Sequence, residues 1–217
     1  MIRCVIFDFD GTLVDSNAIK QRGFFDVATC VPEGEALMRE VLEVTLGDRT
    51  VVLAEFARRA TSKSGNRGPA LKSLINRYTA IVDDGVTAAP SIGGAESLLQ
   101  LLVEQSRILF VNSATPTTSL RRIIARRGWA DYFAEALGTP MGKEENLARI
   151  LARTGFGPLE TAIVGDGVDD AAAAAAHGCH FLPVGHGTWT GPQRYCLPDV
   201  AAILRDLDGR TAVETYG

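Results

Sequence analysis

The chain has 217 residues and a formal net charge of −4, with 46% hydrophobic and 22% charged residues. This composition excludes collagen-like, disulfide-scaffold and disordered chains, and mild acidity without a polybasic face argues against nucleic acid as the main partner. No apolar run approaches the roughly 20 residues of a membrane span, and Asp8 and Asp10 interrupt the first apolar run too early for a signal peptide, so no membrane partner and a cytoplasmic location are expected.

Cys4–Phe9 (CVIFDF) reads as a buried parallel strand that delivers side chains to a loop at Gly11. From Asp15 to Ala88 the apolar period turns helical. Its stripes are Leu37, Val41, Val44 and Leu46; then Val51, Val52, Leu53, Phe56 and Ala57; then Leu71, Leu74, Ile75, Tyr78, Ile81 and Val82. No strand pattern occurs there, and Thr61–Pro69 (TSKSGNRGP) reads as a polar loop. Residues 15–88 are expected to form a helical insertion, leaving 1–14 and 89–217 as the other domain.

After Pro90 the elements alternate. The pattern predicts a helix over 94–105, a strand over 107–112, a helix over 117–128 and a short strand at Ala136–Leu137. It continues with helix 144–154, strand 161–165, helix 169–177, strand 180–184 and a last helix over Pro198–Leu207. Such alternation predicts an α/β fold, a doubly wound parallel sheet covered on both faces. Ligands of such sheets bind beyond the carboxyl ends of the strands. The run Ala171–Ala176 suits a helix lying close on the sheet, with Gly178 as its C-terminal cap.

The cysteines Cys4, Cys30, Cys179 and Cys196 form no CxxC pair and are expected to be reduced, with Cys4 and Cys179 as small core residues. His177, His180 and His186 cluster around Cys179, but their spacing matches no standard zinc pattern.

The chemistry is concentrated at the predicted strand ends. In DFDGTLVDS (8–16), Asp8 and Asp10 stand two apart where the backbone turns into Gly11. Alone, this is compatible with a strand ending in an Asp-Gly turn. Two such carboxylates can also divide covalent catalysis, one attacking and one moving protons, with a divalent cation easing their repulsion. VNSAT (111–115) ends another strand in Ser113, which can serve as a helix cap and as an anion ligand. Lys143 in GKEEN opens a helix, where a positive charge opposes the dipole. VGDGVDD (164–170) supplies Asp166, Asp169 and Asp170.

These four segments, in this order, resemble the four motifs of the haloacid dehalogenase-like (HAD) hydrolases, most of which are magnesium-dependent phosphatases. The resemblance covers the whole chain and is to the phosphatase branch with a helical, C1-type cap, the phosphoglycolate phosphatase and β-phosphoglucomutase-like group. It implies a Rossmann-like core with the insertion as the cap. It implies Asp8 as nucleophile, Asp10 as proton donor and acceptor, and Thr12 as the hydrogen-bond partner that orients Asp10. Phosphate would be bound by Gly11, Thr12, Ser113, Ala114 and Lys143. Mg²⁺ would be held by Asp8, Asp166 and the backbone carbonyl of Asp10, with Asp170 as an outer or water-mediated ligand and Asp169 as a helix-start acid. All-oxygen ligands suit Mg²⁺. One departure is Gly167, where many relatives carry Ser.

The resemblance implies hydrolysis of a small phosphorylated metabolite through an aspartyl-phosphate. The alternatives are a phosphotransferase or sugar-phosphate mutase of the same fold, a phosphonate hydrolase using Lys20, and a non-catalytic binding protein. Asp10 speaks against dehalogenation, because that branch lacks this second acid. Lys20, Arg58, Arg59, Lys63 and Arg67 are candidate contacts for an anionic substrate, whereas His186, Trp189 and Arg194 read as loop residues. The oligomeric state and the individual substrate are not legible in the sequence.

Overall fold

The computed structural model describes residues 1–64, 68–185, 187–191 and 194–214. In chain order the elements are β1 (Cys4–Phe7), α1 (Asn17–Ala28), α2 (Gly34–Val44), α3 (Arg49–Ser64), α4 (Leu71–Ala88), α5 (Ala95–Glu104) and β2 (Ile108–Pro116). They continue with α6 (Thr117–Arg126), β3 (Glu135–Thr139), α7 (Lys143–Thr154), β4 (Thr161–Gly165), α8 (Val168–His177), β5 (His180–Pro183) and α9 (Leu197–Glu214). The chain divides into two compact units, Met1–Asp15 with Ala89–Gly217, and Ser16–Ala88.

The larger unit is α/β. Its five strands pair in parallel in the order β3-β2-β1-β4-β5. β1 is central and fully buried, so both its faces are apolar. Cys4 and Ile6 share one face with Phe110, Leu137 and Ile163, where Leu147 and Ile150 of α7 and Ala173 and Ala174 of α8 complete a core. The alanines allow α8 to lie close on the sheet. On the opposite face Val5 and Phe7 align with Leu109 and Val111 of β2 and with Ala162 and Val164 of β4. The chain builds β2 and β3 on one side of β1, then crosses back to build β4 and β5 on the other. That reversal makes the carboxyl end of β1 the topological switch point, the usual place for a ligand crevice.

Within this unit the two passages flanking the insertion are tied to each other. The Asp15 N–H donates to Pro90 O at 3.0 Å, and the Ile92 N–H to Leu13 O at 2.9 Å. Arg127 donates to Ala89 O at 2.7 Å and to Ser91 Oγ at 2.9 Å while stacking over Trp129.

Ser16–Ala88 is all-helical and has its own core: Val27, Leu37, Met38, Val41, Val52, Leu53, Phe56, Leu74, Tyr78 and Val82. Phe24 and Tyr78 stack with centroids 4.6 Å apart, and the Tyr78 hydroxyl donates to Lys20 O. The apolar stripe expected across α2 and α3 is broken: Val44, Leu46 and Val51 are exposed, Leu46 at 96%. α2 ends at Val44, and α3 restarts after Asp48, whose carboxylate caps the N–H groups of Thr50 and Val51. The restart resets the helical phase and turns these side chains out of the core. The loop expected over Thr61–Pro69 is also shorter, because α3 runs to Ser64. Thr61 and Ser62 return hydrogen bonds to Ala57 O and Arg58 O, which accommodates their hydroxyls in a helix. Arg67 and the side chain of Lys63 lie outside the described residues.

β2 departs most from its expected span. It continues beyond residue 112 to Pro116, with a register irregularity between Asn112 and Pro116. The extra residues bulge over Gly138 of β3, where a Cβ would stand 1.9 Å from Thr115 O and 2.9 Å from Thr117 N. Other differences are small: β3 covers Glu135–Thr139 and α9 starts one residue earlier and runs on to Glu214. Cys179 is half-buried and packs against the core that contains the fully buried Cys4.

Backbone atoms cannot swing aside as side chains do, so Gly138→Ala should destabilise the bulge. We expect a Tm fall of at least about 5 °C, corresponding to roughly 2 kcal/mol. Gly93→Ala, which meets nothing within 4 Å, should change Tm by no more than about 1 °C. Differential scanning calorimetry of the two variants checks this.

Candidate active site

Three neighbouring strands end at one place. β1 delivers Asp8 and, through the turn at Gly11, Asp10; β2 delivers Ser113 and Thr115; β4 delivers Asp166. The turn is closed by Gly11 N–H donating to Val14 O and by Leu13 and Val14 N–H donating to Phe9 O, with Gly11 at φ 80°. The first turns of α7 and α8 add Lys143, Asp169 and Asp170.

Lys143 is the hub. Its Nζ lies 3.2 Å from Asp8 Oδ1, 3.1 Å from Asp169 Oδ2 and 2.8 Å from Asp170 Oδ1. The Lys143 side chain is only 9% exposed, and Asp8 and Asp170 are buried; Asp169 is open to solvent. Burial works against the ammonium, but Asp8, Asp170 and Asp169 outweigh it and hold Lys143 above its ordinary range. The carboxylates show the converse. Burial drives Asp8 well above the usual carboxylate range, Asp170, Asp10 and Asp166 add to the rise, and Lys143 opposes it. Burial likewise pushes Asp170 up to about 6, against the pull of Lys143.

Asp8, Asp166 and Asp170 each present a carboxylate oxygen within 4.8 Å of the others, and all three residues are buried. Among the described residues this is the one group of three or more potential metal-ligating side chains. One ammonium does not neutralise such a cluster, and hard oxygen donors suit a hard divalent cation. The donor set therefore fits Mg²⁺. His177 and His180 do not belong to such a group, and their Nε2 atoms are buried without a hydrogen-bond partner; His186 lies outside the described residues.

Asp10 is held apart from that trio. Thr115 Oγ1 donates to Asp10 Oδ2 at 2.8 Å, and Ser113 Oγ donates to the same oxygen at 3.4 Å. The Thr115 N–H donates to Ser113 Oγ at 3.1 Å. Thr12 Oγ1 donates to Asp166 Oδ1 at 3.5 Å. One expectation needs correction: Ser113 is not a helix cap, since β2 continues and the N-cap of α6 is Pro116. Ala114 is exposed between the two buried hydroxyl residues, and Gly11 and Thr12 are buried.

Thr115 has no place among the residues expected from the sequence, although its position two after Ser113 on a strand was a signal for a second inward hydroxyl. Asn112 and Asn146 had no such signal. Asn112 Nδ2 donates to Lys143 O at 2.8 Å, and Asn146 Nδ2 donates to Asn112 Oδ1 at 3.1 Å. This buried amide pair fastens the start of α7 to β2 and so places Lys143. Asp170 also accepts from Gly167 N–H at 3.2 Å, which ties its carboxylate back to the start of α8.

The other candidates are engaged locally. Arg58 and Arg59 both pair with Glu55 of their own helix, at 2.7 and 2.6 Å. Arg194 donates to the carbonyls of Gly185, Gly187 and Trp189, and the Trp189 N–H donates to Asp166 O. These contacts order the loop after β5, in keeping with the loop reading. Among the described residues no helix is long and apolar enough to cross a membrane.

The chain is 27% identical to phosphoglycolate phosphatase of Chromobacterium violaceum, over 99% of this chain and 95% of that protein. It is 26% identical to hexitol phosphatase B of Escherichia coli K12, over 100% and 97%. A crystal structure of a predicted phosphoglycolate phosphatase from Haemophilus somnus 129pt superposes with a TM-score of 0.74 at 19% identity, covering 94% and 98% of the two chains. A magnesium-bound protein of Bacillus subtilis assigned to the HAD hydrolases superposes with a TM-score of 0.69 at 17% identity, covering 94% and 99%. Residues 2–178 match the haloacid dehalogenase-like hydrolase family, and the chain belongs to that family.

Proposed function

We propose that the protein is a Mg²⁺-dependent phosphomonoesterase that hydrolyses a small phosphorylated metabolite through an aspartyl-phosphate on Asp8. The observation that carries the reading is the convergence of Asp8, Asp166 and Asp170 on a buried Lys143, with Asp10 held separately by hydroxyls. The phosphatase names of the curated relatives support it. Asp8 and Asp166, with the Asp10 carbonyl, would hold the cation and Asp170 would stand behind them. Bound there, it offsets the repulsion between these carboxylates and an anionic phosphate.

In the first step Asp8 Oδ forms a bond to phosphorus as the ester P–O bond breaks. The bonding pair stays on the leaving oxygen, which takes the proton of Asp10. In the second step Asp10 removes a proton from water. The water oxygen bonds to phosphorus and the Asp8 carboxylate departs, leaving inorganic phosphate. Ser113 Oγ–H and Lys143 Nζ would bind the transferring phosphoryl oxygens. The helical unit Ser16–Ala88 is proposed as the part that selects the substrate, acting as the cap of the enzyme.

Asp8→Asn should lower turnover by about 10⁴-fold or more while near-native circular dichroism is retained. Substantial inorganic phosphate release by a folded Asp8→Asn protein would sink the nucleophile assignment. A screen of small phosphate esters with Mg²⁺ should yield phosphate rather than an isomerised ester, and phosphopeptides should be the poorer substrates.

Lys143→Met removes the only cation within reach of the Asp8 carboxylate among the described ion pairs. Turnover should fall about 10²- to 10³-fold on every substrate. The metal-free variant should also lose about 3 kcal/mol of stability, because buried carboxylates are left uncompensated. Added Mg²⁺ should raise its Tm, and EDTA should reverse the rise. Unchanged Tm on adding Mg²⁺ would refute the metal assignment independently of activity.

A further inference from the structure

The geometry points to Thr115 as the residue that positions Asp10 for proton transfer, an inference that rests on the reading of Asp10 as the proton-transfer group. Thr115 does not touch the reacting atoms in this scheme; it acts through Asp10. Its hydroxyl lies 2.8 Å from Asp10 Oδ2, and both residues are buried, Thr115 at 6% and Asp10 at 9% exposure. A hydrogen bond of that length between buried groups restricts the aspartate, which stands on a turn three residues beyond β1.

Held at Oδ2 by Thr115, Asp10 keeps one orientation while it gives its proton to the leaving oxygen, as the ester P–O bond breaks with the bonding pair remaining on that oxygen, and while it takes a proton from the attacking water.

Three further observations favour Thr115 over its neighbours for this task. Thr12, the hydroxyl nearest in sequence, donates to Asp166. Ser113 reaches Asp10 only at 3.4 Å, and its Oγ accepts from the Thr115 N–H. Finally, the irregular end of β2 brings Thr115 inward, and that path passes so close to β3 that only glycine fits at position 138. The backbone N–H of Thr115 thus orients Ser113, while its side chain orients Asp10. The two roles can be separated, because Thr115→Val keeps the N–H and the shape and removes only the hydroxyl.

The test compares kcat/KM for two substrates, an alkyl phosphate and 4-nitrophenyl phosphate, in Thr115→Val, Thr115→Ser and Asp10→Asn. For a covalent mechanism kcat/KM reports events only up to departure of the leaving group. An alkoxide needs a proton as it leaves, whereas 4-nitrophenolate departs as a stable anion. Thr115→Val should lower kcat/KM for the alkyl phosphate by about 30-fold or more and for 4-nitrophenyl phosphate by about threefold or less. Thr115→Ser should restore most of the lost ratio, and Asp10→Asn should show the same asymmetry more strongly. Equal losses on both substrates in Thr115→Val, or failure of Thr115→Ser to restore the ratio, would overturn the positioning role if Asp10→Asn remains asymmetric. Equal losses in Asp10→Asn would overturn the reading of Asp10 itself. Should Thr115→Val fail to fold by circular dichroism, Thr115→Ala reads the same ratio with the hydroxyl gone and less bulk to accommodate.

Discussion

Lys143 faces more negative charge than it can neutralise. Asp8, Asp170 and Asp169 all lie within 3.2 Å of its Nζ, and Asp166 stands beside the first two. Bringing carboxylates together out of water is costly, and such an arrangement persists only when the surrounding structure enforces it. Here the enforcement is a rigid sheet. Asp8 and Asp166 leave adjacent parallel strands whose register is set by four aligned pairs, from Cys4 with Thr161 to Phe7 with Val164. The Asp8 N–H continues that ladder to Val164 O. Neither carboxylate can retreat without breaking strand pairing at the centre of the core.

The remaining parts of the site serve the same constraint. α8 begins two residues after Asp166, and the Gly167 N–H bond to its carboxylate places Asp170 under Gly165, where a Cβ would stand 2.4 Å from the Asp170 carboxyl carbon. α7 is fastened to β2 by Asn112 and Asn146, so the ammonium cannot drift from the cluster. Asp10 accepts from the Thr115 and Ser113 hydroxyls. That division suits two jobs: a nucleophile that must stay charged beside a cation, and a proton carrier that must accept and release a proton. The same sheet end thus offers one carboxylate in a strongly charged setting and one in a hydrogen-bonded setting, two residues apart.

The helical unit obeys simpler rules. Its four helices bury one face each and are held by aliphatic and aromatic contacts, with Tyr78 bridging α1 and α4. Some of its charges pair within single helices, as in the Glu55 pairs with Arg58 and Arg59 and the pair of Arg22 with Asp26. Exposed pairs of this kind add little stability. What distinguishes the unit is the apolar group left in solvent at the turn between α2 and α3, a product of the broken helical phase.

By itself the sequence determined the alternation of strands and helices and the residue types at the strand ends. Apolar periodicity and glycine punctuation are local properties, and the four motifs are contiguous in the chain. The acids, the lysine and Ser113 were legible for that reason. Tertiary structure decided what these groups bond to. Thr12 turned to Asp166, Thr115 took Asp10, and Asn112 and Asn146 met across two elements, because partners far apart in sequence are chosen by strand register and by an irregularity in β2 that has no local signature. The exposure of Val44, Leu46 and Val51 was decided at the same level. A periodic stripe predicts which residues share a face, but a single turn between two helices sets where that face points.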